Sequence, residues 1–204
     1  CSVLTANVGQ TRSLDLTKLP AAAGIGECVT RGQLPPRRSS WFYDNGAFED
    51  FQAGREFDYL QWSRDMRAIR LWRDEQGIPS WRPRGGQRLN LPDFQVVPDK
   101  VGAGWHSLHF SLEHLEEART AGAPCYLALQ DGMSPTYVGT YVDRFDGLFV
   151  GGTLEWKLET AATWVKYGRK WGKPVHVGRV GTLDRVEWAD TIGATSIDSS
   201  LPLW

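Results

Sequence analysis

Short apolar runs, most of them followed by a stretch of helical pattern, recur along the chain and constrain its fold more than any other feature. Eight runs predict strands over 3–8, 25–30, 41–43, 94–97, 125–129, 147–150, 175–177 and 195–197. Five helices are predicted over 55–76, 107–121, 135–144, 154–171 and 182–192. Strands that alternate with helices indicate βα units and a parallel sheet. We therefore predict an α/β fold, a compact (β/α)8 TIM-like barrel formed by residues 1–204 as a single domain, with an open doubly wound sheet as the alternative.

The charge of the chain is balanced overall but unevenly distributed. The 204 residues include 23 basic and 24 acidic side chains, and 41% of the residues are hydrophobic, as in ordinary folded proteins. Residues 31–88 contain eleven arginines against eight acidic residues, whereas residues 89–204 contain ten basic and fourteen acidic residues. A total near zero is therefore compatible with a basic N-terminal half and an acidic C-terminal half.

The cysteines and the hydropathy pattern bear on the compartment. Cys1, Cys28 and Cys125 are widely separated and form neither a disulfide framework nor the close Cys/His pairs of a zinc site. They favour a reducing compartment. No apolar run approaches the roughly 18–20 residues of a membrane span, and no signal-peptide pattern is present. We therefore predict a cytoplasmic protein without a membrane partner.

Two arginine-rich segments of loop composition are candidates for contact with nucleic acid. The longer, over 77–92, reads GIPSWRPRGGQRLNLP, and the shorter, over 31–40, reads RGQLPPRRSS. Arginine interleaved with tryptophan suits a phosphate backbone and a stacked base, although a solvated surface loop has a similar composition. The predicted nucleic-acid-binding residues are Arg37, Arg38, Trp81, Arg82, Arg84 and Arg88.

Polar residues and glycines follow the predicted strands directly. They are Asp44, Asp99, Gln130, Asp131, Gly151, Gly152, Gly178 and Asp198. In a βα barrel the carboxyl ends of all strands point to one face, so these residues are expected to converge. Paired carboxylates perform nucleophilic and acid–base work at the anomeric carbon of a sugar. Any single Asp is also a common turn or helix-cap residue, so it is their joint occurrence that indicates a site.

Six short segments around these residues, in order along the chain, resemble motifs of the tRNA-guanine transglycosylases and their DNA-acting relatives. DNGAF at 44–48 resembles D-S-G-G-[FY], VPDKV at 97–101 resembles F-D-E-C, and ALQDG at 128–132 resembles I-V-Q-G. FVGGTLEW at 149–156 resembles I-G-G-L-A-V-G-E, HVGRVGTLD at 176–184 resembles L-M-G-V-G-T-P-D, and GATSIDSS at 193–200 resembles G-[VI]-D-x-F-D-[CS]. The order and approximate spacing agree over residues 41–200.

The resemblance implies a role for each matching residue. It makes Asp198 the nucleophile that attacks the anomeric carbon and expels guanine, and Asp44 the general base for the incoming base. Asp99 is expected to bind the amidine edge of the base. It also implies that Gln130, Gly151 and the Gly152 amide bind the base near its carbonyl oxygen. Phe48 and Val177 are expected to stack on the two faces of the base.

The chain also departs from the family motifs. Ala47 stands where the family has a second glycine, the later glycine turn reads G-R-V-G, and no C-x-C-x2-C zinc element is present. The resemblance is therefore greatest to short phage-type DNA-guanine transglycosylases, which exchange guanine in DNA for a 7-deazaguanine such as 7-cyano-7-deazaguanine. It implies a pentosyltransferase without metal or cofactor, located in the host cytoplasm if a phage encodes it. DNA is the expected polymer, and tRNA is the less favoured one.

Other interpretations stay open at this point. Cys1 could be the nucleophile of an N-terminal amidohydrolase. His106, His109 and His114 could bind a metal, although H-x2-H-x4-H is not a recognised ligand spacing. A glycosidase would use the same carboxylates with water in place of the incoming base. A non-catalytic binding module would keep the barrel and lose the chemistry.

Overall fold

A closed sheet of parallel strands organises the molecule. The computed structural model describes residues 2–5, 26–34, 36, 40–74 and 91–199. Its strands are β1 (Ser2–Thr5), β2 (Gly26–Thr30), β3 (Trp41–Asp44), β4 (Gln95–Val96), β5 (Cys125–Leu129), β6 (Gly147–Val150), β7 (Val175–Val177) and β8 (Ser196–Ser199). They pair in sequence order, and β1 also pairs with β8. The predicted α/β class with a barrel-like parallel sheet is confirmed, and this strand order excludes the open doubly wound alternative.

The described residues contain six α-helices. They are α1 (Ala47–Gln52), α2 (Tyr59–Asp74), α3 (Trp105–Arg119), α4 (Pro135–Val138), α5 (Leu154–Trp171) and α6 (Leu183–Ile192). The short helix α1 was not predicted, and the helix predicted over 135–144 is instead α4 followed by a 3-10 turn at Val142–Arg144. Residues 31–34, 36 and 40, between β2 and β3, form no helix. The described part of the chain therefore does not have a helix after every strand.

The strands alternate between two packing environments, as the period-2 geometry of a strand requires. One set of side chains fills the inside of the barrel, where the Phe94 ring stacks between Phe42 at 4.7 Å and Tyr126 at 4.1 Å, centroid to centroid. The other set, including Leu127 and Val177, is fully buried in the larger cluster that contains helix residues such as Trp164. The core therefore lies both within the barrel and between the sheet and its helices.

Two capped helices begin beside the carboxyl ends of β6 and β7. Thr153 precedes α5 and its side-chain hydroxyl accepts a hydrogen bond from the Trp156 amide, while Thr182 does the same for α6 with the Arg185 amide. Both helices end at a glycine with positive φ, which relieves the backbone of a Cβ clash. This capping sets the N-termini of α5 and α6 on the face of the barrel where the strands end.

Cys28 and Cys125 are both buried free thiols, whereas Cys1 lies outside the described residues. Within the described ranges no helix has the length and apolar character needed to cross a membrane.

Candidate active site

A cavity of about 320 Å³, which we call the central cavity, opens where the strands end. Six of the residues predicted from the sequence line it, namely Asp44, Phe48, Asp99, Gln130, Gly151 and Asp198. They come from five different β-strands or the segments that follow them, with Phe48 on α1 after β3, and only the barrel brings them together. The volume is within the range typical of small-molecule sites.

Asp198 on β8 is held by a histidine beneath it. His176 on β7 is completely buried, and its Nε2 lies 2.9 Å from Asp198 Oδ1, while its Nδ1 lies 2.8 Å from Ser196 Oγ. Burial lowers the pKa of His176, so the neutral ring donates from Nε2 to the carboxylate and accepts from the Ser196 hydroxyl. Burial alone would raise the pKa of Asp198, but its hydrogen bonds with His176 and the Arg179 backbone hold that pKa below its usual value. Asp198 is therefore ionised at neutral pH.

The pKa of Asp44 is shifted in the opposite direction to that of Asp198. It is the last residue of β3, and its Oδ1 accepts a hydrogen bond of 2.9 Å from the Gly46 amide. Burial, together with the charges of Asp198 and Glu49, raises the pKa of Asp44 to about 6. One carboxylate of the cavity thus stays charged while another exchanges a proton near neutral pH, which is the division of labour that acid–base catalysis uses.

Asp99 lies in a buried hydrogen-bond network. Its two oxygens accept from Asn45 Nδ2 and from Gln130 Nε2, each at 2.7 Å. Asn45 also donates to the Val97 carbonyl, so it links the end of β3 to the segment after β4. Burial and the charge of Asp44 raise the pKa of Asp99 to about 6 despite these donors. Asn45 was not among the predicted residues, although it is the second residue of the DNGAF string.

Arg179 places a cation over the carboxylates and was missed as a site residue. It is the one non-glycine residue with positive φ, at 54°, in the part of the chain that the structure describes. Its guanidinium carbon lies 3.5 Å from the centroid of the Phe48 ring, and Nη2 donates to the Gly152 carbonyl at 2.7 Å. Its positive charge lowers the pKa of both Asp44 and Asp99. The departure G-R-V-G in the glycine turn was the sequence signal for this residue.

The two glycines after β6 are packed against polar side chains. A Cβ on Gly151 would lie 2.8 Å from Gln130 Nε2, and a Cβ on Gly152 would lie 2.7 Å from Asp131 Oδ2. Gly152 has φ 66°, which favours glycine independently of the space. Gly151 lines the central cavity, whereas Gly152 lines a neighbouring one.

The structure gives Val177 a different place from the predicted one. Its side chain is fully buried in the layer between the strands and the helices, and it is not part of the central cavity lining. Side chains alternate along β7, so when His176 points into the barrel Val177 points away from it.

The predicted nucleic-acid-binding residues all lie outside the described residues. They are Arg37, Arg38, Trp81, Arg82, Arg84 and Arg88.

The three histidines of the alternative metal site have other partners. His109 Nε2 lies 2.7 Å from the Tyr137 hydroxyl, and His114 Nδ1 lies 2.9 Å from the Phe110 carbonyl. The His106 ring stacks on Trp105 at 3.6 Å. Across the described ranges, no group of three or more His, Cys, Asp or Glu residues is arranged to hold a metal ion.

Comparison with known proteins adds no family assignment to this geometry. No family model matches the sequence. No curated protein matches it either.

Proposed function

We propose that this protein exchanges guanine in DNA for a 7-deazaguanine through a covalent intermediate on Asp198. The observation that carries the proposal is the pair of unlike carboxyl groups in one cavity, with the pKa of Asp198 held low and the pKa of Asp44 raised to about 6. We also infer that the barrel is of the (β/α)8 type, which the parallel strand order supports.

In the first step the ionised Asp198 acts as the nucleophile. Its carboxylate oxygen bonds to the anomeric carbon, the bond from that carbon to the guanine nitrogen breaks, and the electron pair leaves with guanine. A protonated Asp44 donates a proton to the leaving nitrogen and becomes a carboxylate. The hydrogen bond from His176 holds Asp198 in one orientation for this attack.

The second step reverses the first with a new base. Asp44 removes the proton from the glycosidic nitrogen of the incoming base, and that nitrogen attacks the anomeric carbon. The ester bond to Asp198 breaks, and the carboxylate is regenerated. One glycosidic bond replaces another, so the exchange needs no external energy source.

Recognition of the base is assigned to the network around Asp99. A buried carboxylate suits the amidine edge of a guanine-like base, since two N–H donors match its two oxygens. Asn45 and Gln130 hold that carboxylate from the sides. Gln130 also accepts from the Gly102 amide at 3.2 Å, so its orientation is set before a ligand binds. A target base in duplex DNA must first be flipped out of the double helix to reach the cavity, at a cost of a few kcal/mol.

The test is a base-exchange assay. The protein is incubated with duplex DNA that carries radiolabelled guanine, 7-cyano-7-deazaguanine is added, and the released label is measured, with a tRNA arm alongside. Asp198→Asn is the test variant, and Asp143→Asn is its control, because Asp143 is exposed in the segment that leads into β6, away from the cavity. Denaturing gels of the same reactions detect a covalent protein–DNA adduct.

Release that requires both the added base and Asp198 supports the proposal. Release from tRNA alone keeps the mechanism and overturns the DNA assignment. Release without an added base makes the protein a glycosidase. Equal release by wild type and Asp198→Asn overturns the covalent mechanism.

A further inference from the structure

A second cavity of about 340 Å³ adjoins the central one, and we call it the side cavity. It lies beside the N-termini of α5 and α6 and shares Phe48, Val101 and Arg179 with the central cavity. Three cationic side chains line it, Lys157, Arg179 and Arg185, and no carboxylate is among the described residues of its lining. The side cavity is therefore a positively charged space directly next to the carboxylates of the central cavity.

Two of these cations occupy positions that helices disfavour. Lys157 and Arg185 lie within the first four residues of α5 and α6, where the positive end of the helix dipole repels them. The Lys157 side chain is buried and donates to the Gly178 carbonyl, and Arg185 is half-buried. Within the described ranges neither forms an ion pair with an acidic residue. Both side chains and the positive ends of the two helix dipoles favour a negatively charged group at this position.

The charges also act on one another. Burial, with the positive charges of Arg179 and Arg185, lowers the pKa of Lys157 to about 7, although Asp198 opposes this. Mutual repulsion of this kind is relieved when a phosphate is shared among the three groups.

The remaining lining suits a nucleotide better than a free inorganic anion. Phe51 is 58% exposed and Leu154 is 43% exposed, both in the side cavity. The Phe48 and Phe51 rings lie 6.5 Å apart in a stacked arrangement. An aromatic ring beside a cluster of cations provides the combination of stacking and charge that single-stranded nucleic acid uses.

We propose that the side cavity binds a backbone phosphodiester of the nucleic-acid strand whose target base occupies the central cavity, through Lys157, Arg179 and Arg185. The inference rests on the proposed function and specifies its substrate class. The substrate is then a polynucleotide and not a free nucleoside. It also assigns nucleic-acid contacts to residues other than the arginine-rich loops that the sequence indicated.

Arg185→Gln tests the proposal, because it removes one charge from the side cavity and leaves the central cavity intact. Arg169→Gln is the control, since Arg169 lies in the last turn of α5, at the end of the barrel away from both cavities. Binding of a fluorescent 12-nucleotide DNA, and of RNA of the same sequence, is measured by anisotropy from 50 to 200 mM salt. Free 7-cyano-7-deazaguanine is measured by calorimetry.

We expect Arg185→Gln to weaken oligonucleotide binding about tenfold and to reduce the slope of log K against log salt by about one. Affinity for the free base should match that of Arg169→Gln. An oligonucleotide with a neutral methylphosphonate beside the target guanosine should bind wild type more weakly than the unmodified oligonucleotide does. Its affinity should fall little further when the protein carries Arg185→Gln. Weakening with DNA, with RNA or with both supports the site and shows which sugar it accepts.

Identical affinity and salt slope for Arg185→Gln and Arg169→Gln, with both polymers, overturn the proposal. This failure is distinguishable from failure of the proposed function. If exchange depends on Asp198 while Arg185→Gln binds normally, only the phosphate site is wrong. If Arg185→Gln weakens binding while no exchange occurs, the phosphate site stands and the exchange reaction is wrong.

Discussion

His176 Nε2 lies 2.9 Å from Asp198 Oδ1, and this bond joins the barrel interior to the proposed nucleophile. The imidazole stacks on Phe149 with 4.8 Å between centroids and lies about as close to Phe42, at 5.0 Å. Aromatic packing therefore sets the ring plane, and the Asp198 carboxylate, which can only accept, requires the ring proton on Nε2, so that the Ser196 hydroxyl donates to Nδ1. In the proposed mechanism His176 is a positioning residue that acts through Asp198.

His176→Leu should remove the hydrogen bond that orients Asp198 while keeping an apolar side chain in the barrel. We expect the covalent adduct with DNA to form at least 100-fold more slowly, and the pKa of Asp198 to rise because a hydrogen-bond donor to the charged form is lost. The acid limb of the pH–rate profile should move to higher pH. His176→Gln, which keeps a donor, should recover part of the rate. An unshifted pH profile in a folded His176→Leu protein would contradict the positioning role.

Asp44→Asn should increase stability at high pH. The pKa of Asp44 is raised from 3.8 to about 6 in the folded protein, so between those values the folded state binds the additional proton. Wild type therefore loses stability as pH rises from about 4 to about 6, and the amide variant does not. We expect Asp44→Asn to be more stable by on the order of 1–3 kcal/mol at pH 8 and equal to wild type near pH 4. Urea unfolding at the two pH values measures this, with Asp143→Asn as a control that shows no such difference.

Arg179→Gln should raise the pKa values of the cavity carboxyl groups. The guanidinium lowers the pKa of Asp44 and of Asp99, so its loss should move both titrations upward. Carbon-13 NMR of the aspartate carboxyl groups follows this without relying on activity. Arg185→Gln serves as the comparison, because Arg185 lines the side cavity and not the central one. Unchanged titrations in Arg179→Gln would show that the guanidinium does not act on the cavity.

Leu127→Ala tests the layer between the sheet and the helices. Leu127 is fully buried on β5, so the substitution should lower the free energy of unfolding by about 2–5 kcal/mol. Leu60→Ala, at a side chain that is 69% exposed, should change it by less than about 0.5 kcal/mol. Denaturant titration of both variants checks the packing, and a similar cost for the two would be inconsistent with the described core.

Local patterns were sufficient for most of the architecture. Apolar runs at 125–129, 147–150 and 175–177 match β5, β6 and β7 residue for residue, because a short buried strand is bounded by turn residues on both sides. Helix α1 was missed because its six residues follow β3 too closely to develop a helical period. The position of Asp44 at the end of β3 and of Asp198 one residue before the end of β8 was also readable, since polar residues interrupt the apolar runs there.

The sequence by itself determined which segments become strands, their order and the carboxylates that end them, because these depend on neighbours a few residues away. Only the tertiary structure decided what those carboxylates contact. His176 reaches Asp198 across 22 residues and Asn45 reaches Asp99 across 54, and no local pattern encodes such distances. The same holds for Arg179, whose guanidinium meets Phe48 only because the barrel brings the ends of β3 and β7 to one face.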